Sequence, residues 1–255
     1  GGGKTVALLM CALQYVDVPG YAALILRRTF PDLQKAGGLI PLSHEWLGPT
    51  NAVWSEQRHS WRVPSGAVLD FGYLEHENDI YQYQGSEYQT ICYDELTQHS
   101  ELSYRYLFSR LRKREGLNVP LRMRSASNPG GVGHDWVKQR FIIEGLSQGR
   151  AYIPAKLADN PSLNQAAYRA SLNELDPFTR AQLLNGDWSA RAPGKKFRRE
   201  WFEIIEERPA GLQLVRYWDM AATEAKAGKD PDWTVGALVG IKDGRWYICD
   251  IRRVQ

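Results

Sequence analysis

The chain has 255 residues, of which 43% are hydrophobic and 24% charged, with a formal net charge of +3. That balance describes a globular protein with one large domain or two smaller ones and excludes a disordered or low-complexity chain. No apolar run of roughly 18 residues exists to span a bilayer, so no membrane partner is expected, and the modest charge permits a local nucleic-acid patch without requiring one.

The first five residues, Gly1-Gly2-Gly3-Lys4-Thr5, match the second half of a phosphate-binding loop, G-x-x-x-x-G-K-S/T. In such a loop backbone N–H groups wrap the phosphates, the lysine reaches the β- and γ-phosphates, and the hydroxyl ligates Mg²⁺. Three glycines before Lys-Thr also fit a linker scar at a chain terminus. The residues after Thr5 favour the loop. Val6, Leu9, Met10 and Leu13 recur with helical period, predicting a helix with these residues on its buried face, ending before Val18-Pro19-Gly20. A helix springing from the glycines is what a phosphate loop needs, because its N-terminus is electropositive.

Tyr21 to Arg28 reads as a buried parallel strand, which makes the unit α/β with its ligand at the strand ends. Arg27 and Arg28 at its end fit contact with phosphate or DNA, or a solvated strand end. Residues 59–75 read as a hairpin around Pro64-Ser65-Gly66. Gln89 to Tyr93 is a second apolar strand running into Asp94-Glu95. Adjacent carboxylates at a buried strand end are costly unless a cation faces them. In a phosphate-loop ATPase Mg²⁺ with its nucleotide supplies that charge, Asp94 ordering the metal and Glu95 activating the attacking water. A strand leaving the core into a polar loop would carry the same letters. Ser109 to Arg114 is a basic run expected on a helix, either as a solvated face or with Arg110 or Arg112 reaching a neighbouring subunit's γ-phosphate. Leu121 to Ser127 is a further strand, ending in Asn128-Pro129-Gly130-Gly131, a tight turn whose amide can face a phosphate. Cys11, Cys92 and Cys249 are odd in number and lack metal-ligand spacing, which points to buried thiols in a reducing compartment.

Gly-Gly-Gly-Lys-Thr, Ile-Cys-Tyr-Asp-Glu-Leu-Thr and Ser-Asn-Pro-Gly-Gly-Val-Gly-His, in this order, resemble the large terminase subunit of tailed bacteriophages. The later Tyr152-Ile153-Pro154-Ala155, Asp159-Asn160-Pro161 and Gly186-Asp187-Trp188 fit the same family. The resemblance implies an ASCE-type P-loop ATPase sheet at 1–155, a helical linker subdomain at 156–212 and the start of a ribonuclease-H-like nuclease domain at 213–255. It implies ATP and Mg²⁺ as cofactors, with Gly1, Gly2, Gly3, Lys4 and Thr5 forming the phosphate loop, Asp94 ordering the metal, Glu95 acting as base and Asn128 sensing the γ-phosphate. The implied partners are double-stranded DNA, the portal protein, a small terminase subunit and sister subunits in a ring on the procapsid, in the host cytoplasm.

Downstream, Ser162 to Leu175 and Pro177 to Asn185 read as helices, the second with Asp176 as N-cap and Gly186 as stop. Ala190 to Lys196 reads as a linker, the Lys195 to Arg199 run being either solvated or in touch with DNA backbone, and the domain boundary is expected near 190–212. Leu214 to Trp218 is a strand ending at Asp219. A polar loop leads through Asp232 to the strand Ala237 to Ile241, and Asp243-Gly244 turns it into Arg245 to Ile251. By resemblance to the nuclease, Asp219 and Asp232 are the metal ligands for Mg²⁺ or Mn²⁺, whereas Asp250 reads as structural. The first motif glycine would precede residue 1 and further nuclease ligands would follow Gln255, so the chain by itself is expected to bind nucleotide poorly and to lack nuclease activity. Two other readings fit: a helicase-like ATPase without nuclease, and an inactive prophage remnant or DNA-binding scaffold.

Overall fold

A computed structural model describes residues 3–155, 159–160, 164–190, 201–220 and 233–254. The chain divides into two compact units, Gly1–Ala192 and Pro193–Gln255. In the first, the elements in order are α1 (Lys4–Leu13), β1 (Ala22–Arg27), α2 (Phe30–Gln34), α3 (Leu39–Leu47), β2 (Val53–Ser55), β3 (Ser60–Arg62), β4 (Val68–Tyr73), β5 (Thr90–Asp94), α4 (Glu101–Leu107), β6 (Arg122–Ala126), α5 (His134–Val137), α6 (Gln165–Leu172) and α7 (Pro177–Asn185).

The six strands run in the order β2-β3-β4-β1-β5-β6. β4, β1, β5 and β6 pair in parallel, and the β2–β3–β4 edge is antiparallel. β1 lies between β4 and β5 and is buried on both faces, which is why its sequence reads as a continuous apolar run instead of alternating. Leu8, Leu9, Ile25, Leu69 and Phe71 belong to one core cluster, and Leu24, Leu26, Ile91, Tyr93 and Leu107 to another. Leu24, Ile25 and Leu26 are almost wholly removed from water, and such burial stabilises by about 1.5–3 kcal/mol per side chain.

Two expectations change. The buried face of α1 is Leu8, Leu9 and Ala12, whereas Val6 and Met10 are 40% and 59% exposed. From Val6 to Leu13 this helix is apolar nearly all round, so its periodicity does not choose a side; contact with the sheet does. The basic run is not helical either. α4 stops at Leu107, a 3₁₀ turn spans Phe108–Arg110, and Leu111 forms a parallel bridge with Tyr88. Tyr88 donates to the Arg110 carbonyl and accepts from Arg112 N–H, which pulls the run into an extended path. Arg112 and Arg114 lie 3.7 and 3.4 Å from Glu87.

Asp176 accepts from Thr179 N–H to cap α7, Pro177 occupies its first turn, and Gly186 closes it at φ 62°. In the second unit β7 (Gln213–Asp219), β8 (Thr234–Lys242) and β9 (Arg245–Val254) form an antiparallel sheet in the order β7-β8-β9. Asp243 and Gly244, with φ of 49° and 74°, make the tight β8–β9 turn. The expected sites at Gly1, Gly2 and Asp232, and the basic run from Lys195 to Arg199, lie outside the described residues. Among the described residues no helix is long and apolar enough to cross a membrane.

Candidate nucleotide site

The parallel strands end at one edge, and the loops leaving them meet there. Gly3 takes a left-handed conformation (φ 72°) and opens α1 without a side-chain cap and with no acidic residue in the first turn. A helix start of this kind leaves backbone donors and partial positive charge available to an anion. Lys4, in the first turn, donates from Nζ to Asn128 Oδ1 at 2.6 Å. Asn128 in turn approaches Glu95: its Nδ2 donates to Oε1 and its backbone N–H to Oε2, both at 3.4 Å. Residues far apart in the chain thus form one continuous run, Lys4–Asn128–Glu95.

Beside it, Asp94 ends β5 at 1% exposure. Burial pushes its carboxyl up to about 6, opposed by Arg27 and reinforced by the neighbouring Glu95. Arg27 Nε lies 3.3 Å from Asp94 Oδ2. Both atoms are nevertheless without a hydrogen bond, so the contact is an ion pair lacking hydrogen-bond alignment and leaves the carboxylate with unused acceptor capacity. Arg27 is therefore neither a solvated strand end nor free to meet DNA. The signal was available in register: Leu26 pairs with Tyr93, which places the next residues, Arg27 and Asp94, side by side. Pairing from sequence alone would have required knowing that β1 and β5 are neighbours.

Glu95 is held at φ 53°, left-handed for a residue with a Cβ. Such a conformation costs about 1–3 kcal/mol and persists only where surrounding structure enforces it. The enforcement is visible. Thr97 N–H donates to Ser127 Oγ at 3.1 Å, the two hydroxyls are 2.9 Å apart, and Thr97 Oγ1 donates to the Asn128 carbonyl at 3.1 Å. Gly131 closes the same junction at φ 80°, with its α-carbon so near that a Cβ would come within 2.8 Å of the Thr97 carbonyl. Thr97 and Ser127 clamp the loop after β5 to the turn after β6, and neither was singled out by sequence. Behind them His99 is fully buried, and burial, aided by Arg28 and Arg27, pulls its imidazole down to about 3, so it is neutral.

Of the carboxylates expected to bind nuclease metals, Asp232 lies outside the described residues. Asp219 is an exposed residue at the end of β7. Asp250 is paired with Arg216 and with Arg252, and the Arg216 guanidinium holds its carboxyl below the usual range. No group of three or more His, Cys, Asp or Glu side chains among the described residues is placed to hold a metal ion.

A family model described as the terminase large subunit, T4likevirus type, N-terminal, matches residues 1–204. The chain belongs to the terminase large-subunit family. No curated protein matches it. Among solved structures it is similar to the large terminase from a thermophilic bacteriophage, with 15% identity and a TM-score of 0.61 over 99% of this chain and 60% of that one. The same phage's terminase in complex with ATP-γ-S matches at 16% identity and TM-score 0.59, again over 99% and 60%. The bacteriophage HK97 large terminase matches at 14% identity and TM-score 0.52, over 99% of this chain and 56% of that one. At these identities the likeness is one of fold, and the chain spans 56–60% of the length of these terminases.

Proposed function

We propose that this chain carries the ATPase engine of a phage DNA-packaging motor, hydrolysing ATP at the site where Lys4, Asp94, Glu95 and Asn128 meet. The observation that carries the reading is the Lys4–Asn128–Glu95 run of contacts with the buried Asp94 alongside. It is a cation, an amide and two carboxylates at the start of a helix and the ends of parallel strands, where open α/β sheets bind ligands. The thermophilic-phage terminase, similar in fold, has been solved with ATP-γ-S and with ADP.

In this reading Gly1, Gly2 and Gly3 present backbone N–H groups to the triphosphate and Lys4 exchanges its Asn128 contact for phosphate oxygens. Asn128, released from Lys4, faces the γ-phosphate. Glu95, held close by Asn128, takes a proton from the attacking water as that oxygen bonds to phosphorus and the bond to ADP breaks. The under-used Asp94 oxygen and the Thr5 hydroxyl suit a hard divalent cation. When bound, Mg²⁺ neutralises charge on the β- and γ-phosphates.

In this reading the domains are an ATPase core at 1–155, a helical linker at 156–212 and the start of a ribonuclease-H-like nuclease at 213–255. The partners are double-stranded DNA, a portal protein, a small terminase subunit and sister subunits in a ring, in the host cytoplasm. The nuclease reading draws on Asp219 ending a strand of an antiparallel sheet, with Asp232 as second ligand for Mg²⁺ or Mn²⁺; loss of Mn²⁺-dependent nicking in Asp219→Ala is its test. For the ATPase, turnover by the full-length protein is compared with Lys4→Ala and Glu95→Ala. Each variant is expected to lose about 10²–10⁴-fold in rate. Equal rates in all three would remove the motor assignment and favour an inactive scaffold.

A further inference from the structure

The antiparallel edge of the first sheet has one packed face and one bare face. Trp61 of β3 and Leu69 and Phe71 of β4 belong to a core cluster. The residues between them, Ser60, Arg62, Val68 and Asp70, alternate onto the opposite face, which borders a cavity of about 720 Å³. Small-molecule sites run to roughly 300–1,000 Å³. Tyr83 and Tyr88 form the inner wall. Gly72 lets that wall approach the sheet, because a Cβ there would overlap Tyr83 Oη.

The polar groups of this cavity are sorted by depth. Ser60 and Asp70 stand opposite one another in register, the first buried and the second half-buried. Tyr88 Oη donates to Asp70 Oδ2 at 2.8 Å, while Oδ1 takes no hydrogen bond from a described residue. Burial raises the Asp70 carboxyl above its ordinary range, opposed by the Tyr88 hydrogen bond and by the charge of Arg58. Burial and the Asp70 charge also hold the Tyr88 phenol far above its usual value, so it stays a neutral donor. Arg58 and Arg62, also lining the cavity, are exposed, and neither guanidinium makes a hydrogen bond or an ion pair with a described residue. An acceptor-bearing floor thus adjoins a cationic rim. A plain cation would gain at Asp70 and lose at the arginines, and a plain anion the reverse. A nucleoside monophosphate satisfies both, with an anionic end and a rigid N–H edge. Among the bases guanine alone sets two donors side by side, N1–H and N2–H. Adenine and cytosine place a ring-nitrogen acceptor beside the amine, and uracil flanks its one donor with two carbonyls.

We propose that the cavity on the bare face of β3 and β4 is a second nucleotide site, selective for guanosine monophosphate, in which Asp70 accepts from the N1–H and N2–H of the base and Arg58 and Arg62 hold the phosphate. Binding makes and breaks no covalent bond. The cavity shares no lining residue with the Lys4–Asn128–Glu95 run, so the inference stands apart from the ATPase reading.

The test is calorimetric titration of the full-length protein with GMP, AMP, UMP and guanosine, with and without saturating ATP-γ-S. GMP is expected to bind whether or not ATP-γ-S is present, and AMP and UMP to bind at least about tenfold more weakly. Asp70→Asn keeps an oxygen for Tyr88 but replaces one acceptor with a donor, and should weaken GMP by about tenfold or more. Arg58→Ala combined with Arg62→Ala changes exposed positions only and serves if the Asp70 variant does not fold. It should weaken GMP by about tenfold while leaving guanosine affinity unchanged. The inference is overturned if GMP does not bind, if GMP and AMP bind equally, or if neither folded variant weakens GMP. Displacement of GMP by ATP-γ-S would place it at the Lys4 site and overturn the second site while leaving the ATPase reading intact. A single-stranded guanine-containing oligonucleotide that binds more tightly than GMP, and loses that affinity in Asp70→Asn, would make the occupant a DNA strand and overturn the assignment to a free nucleotide.

Discussion

Arg27→Met takes away the guanidinium facing Asp94 while keeping an apolar stem of similar length. At 3.3 Å and an effective dielectric near 20, the attraction between the two charges is about 5 kcal/mol, enough to move a titration by about three to four pH units. Water entering the vacated space trims this. Because burial already pushes Asp94 up to about 6 with Arg27 present, its carboxyl should titrate well above that in the variant and be protonated at neutral pH. ¹³C NMR of labelled aspartate in the nucleotide-free protein, assigned with Asp94→Asn, reads this directly. The acid limb of kcat/KM for ATP should move the same way, since that profile reports the free enzyme. A carboxyl still titrating near 6 would mean that the Arg27 field does not keep Asp94 ionised. The stability consequence has a definite sign. The folded value of about 6 lies above the reference 3.8, so this group's contribution is complete below pH 3.8 and lost as pH rises through 6, a loss of about 3 kcal/mol. In Arg27→Met the window extends to higher pH. At pH 7 the carboxyl escapes its burial penalty by holding a proton, so the variant should lose about 2 kcal/mol instead of the 3–5 typical of a broken buried pair.

Three further outcomes are expected. Glu95→Gly relieves the left-handed strain at φ 53° and should stabilise the fold by about 1 kcal/mol while abolishing ATP turnover; a lower melting temperature would refute the strain. Gly131→Ala drives a Cβ to within 2.8 Å of the Thr97 carbonyl at φ 80° and should cost about 3 kcal/mol, read by urea unfolding; a loss within experimental error would mean that the turn yields freely. Thr97→Val removes the hydroxyl contacts to Ser127 and the Asn128 carbonyl and should cost about 1–3 kcal/mol, with ATP turnover falling further than nucleotide affinity. Equal falls in both would show that the clamp serves folding alone.

Much of this architecture was written locally. The buried run Ala22–Arg27, the hairpin around Pro64-Ser65-Gly66, the Asp176–Pro177 helix start and the Asp243-Gly244 turn are each set by residues within a few positions of one another, so their chemistry determines them without reference to the rest of the fold. The Lys-Thr, Asp-Glu and Asn-Pro-Gly-Gly pieces are likewise local, and their Lys4, Asn128 and Glu95 meet in one run of contacts. What tertiary structure alone decided was long-range. α1 is apolar on several sides, so only packing against the sheet chose Leu8, Leu9 and Ala12 over Val6 and Met10. The stretch after α4 left the helix because Tyr88 offered its backbone to Arg110 and Arg112. Arg27 found Asp94 because β1 and β5 lie side by side in register. Side-chain type and short-range spacing carry backbone preference, whereas facing, pairing and the field at a buried carboxylate depend on which distant segment arrives alongside, and that is settled only when the sheet closes.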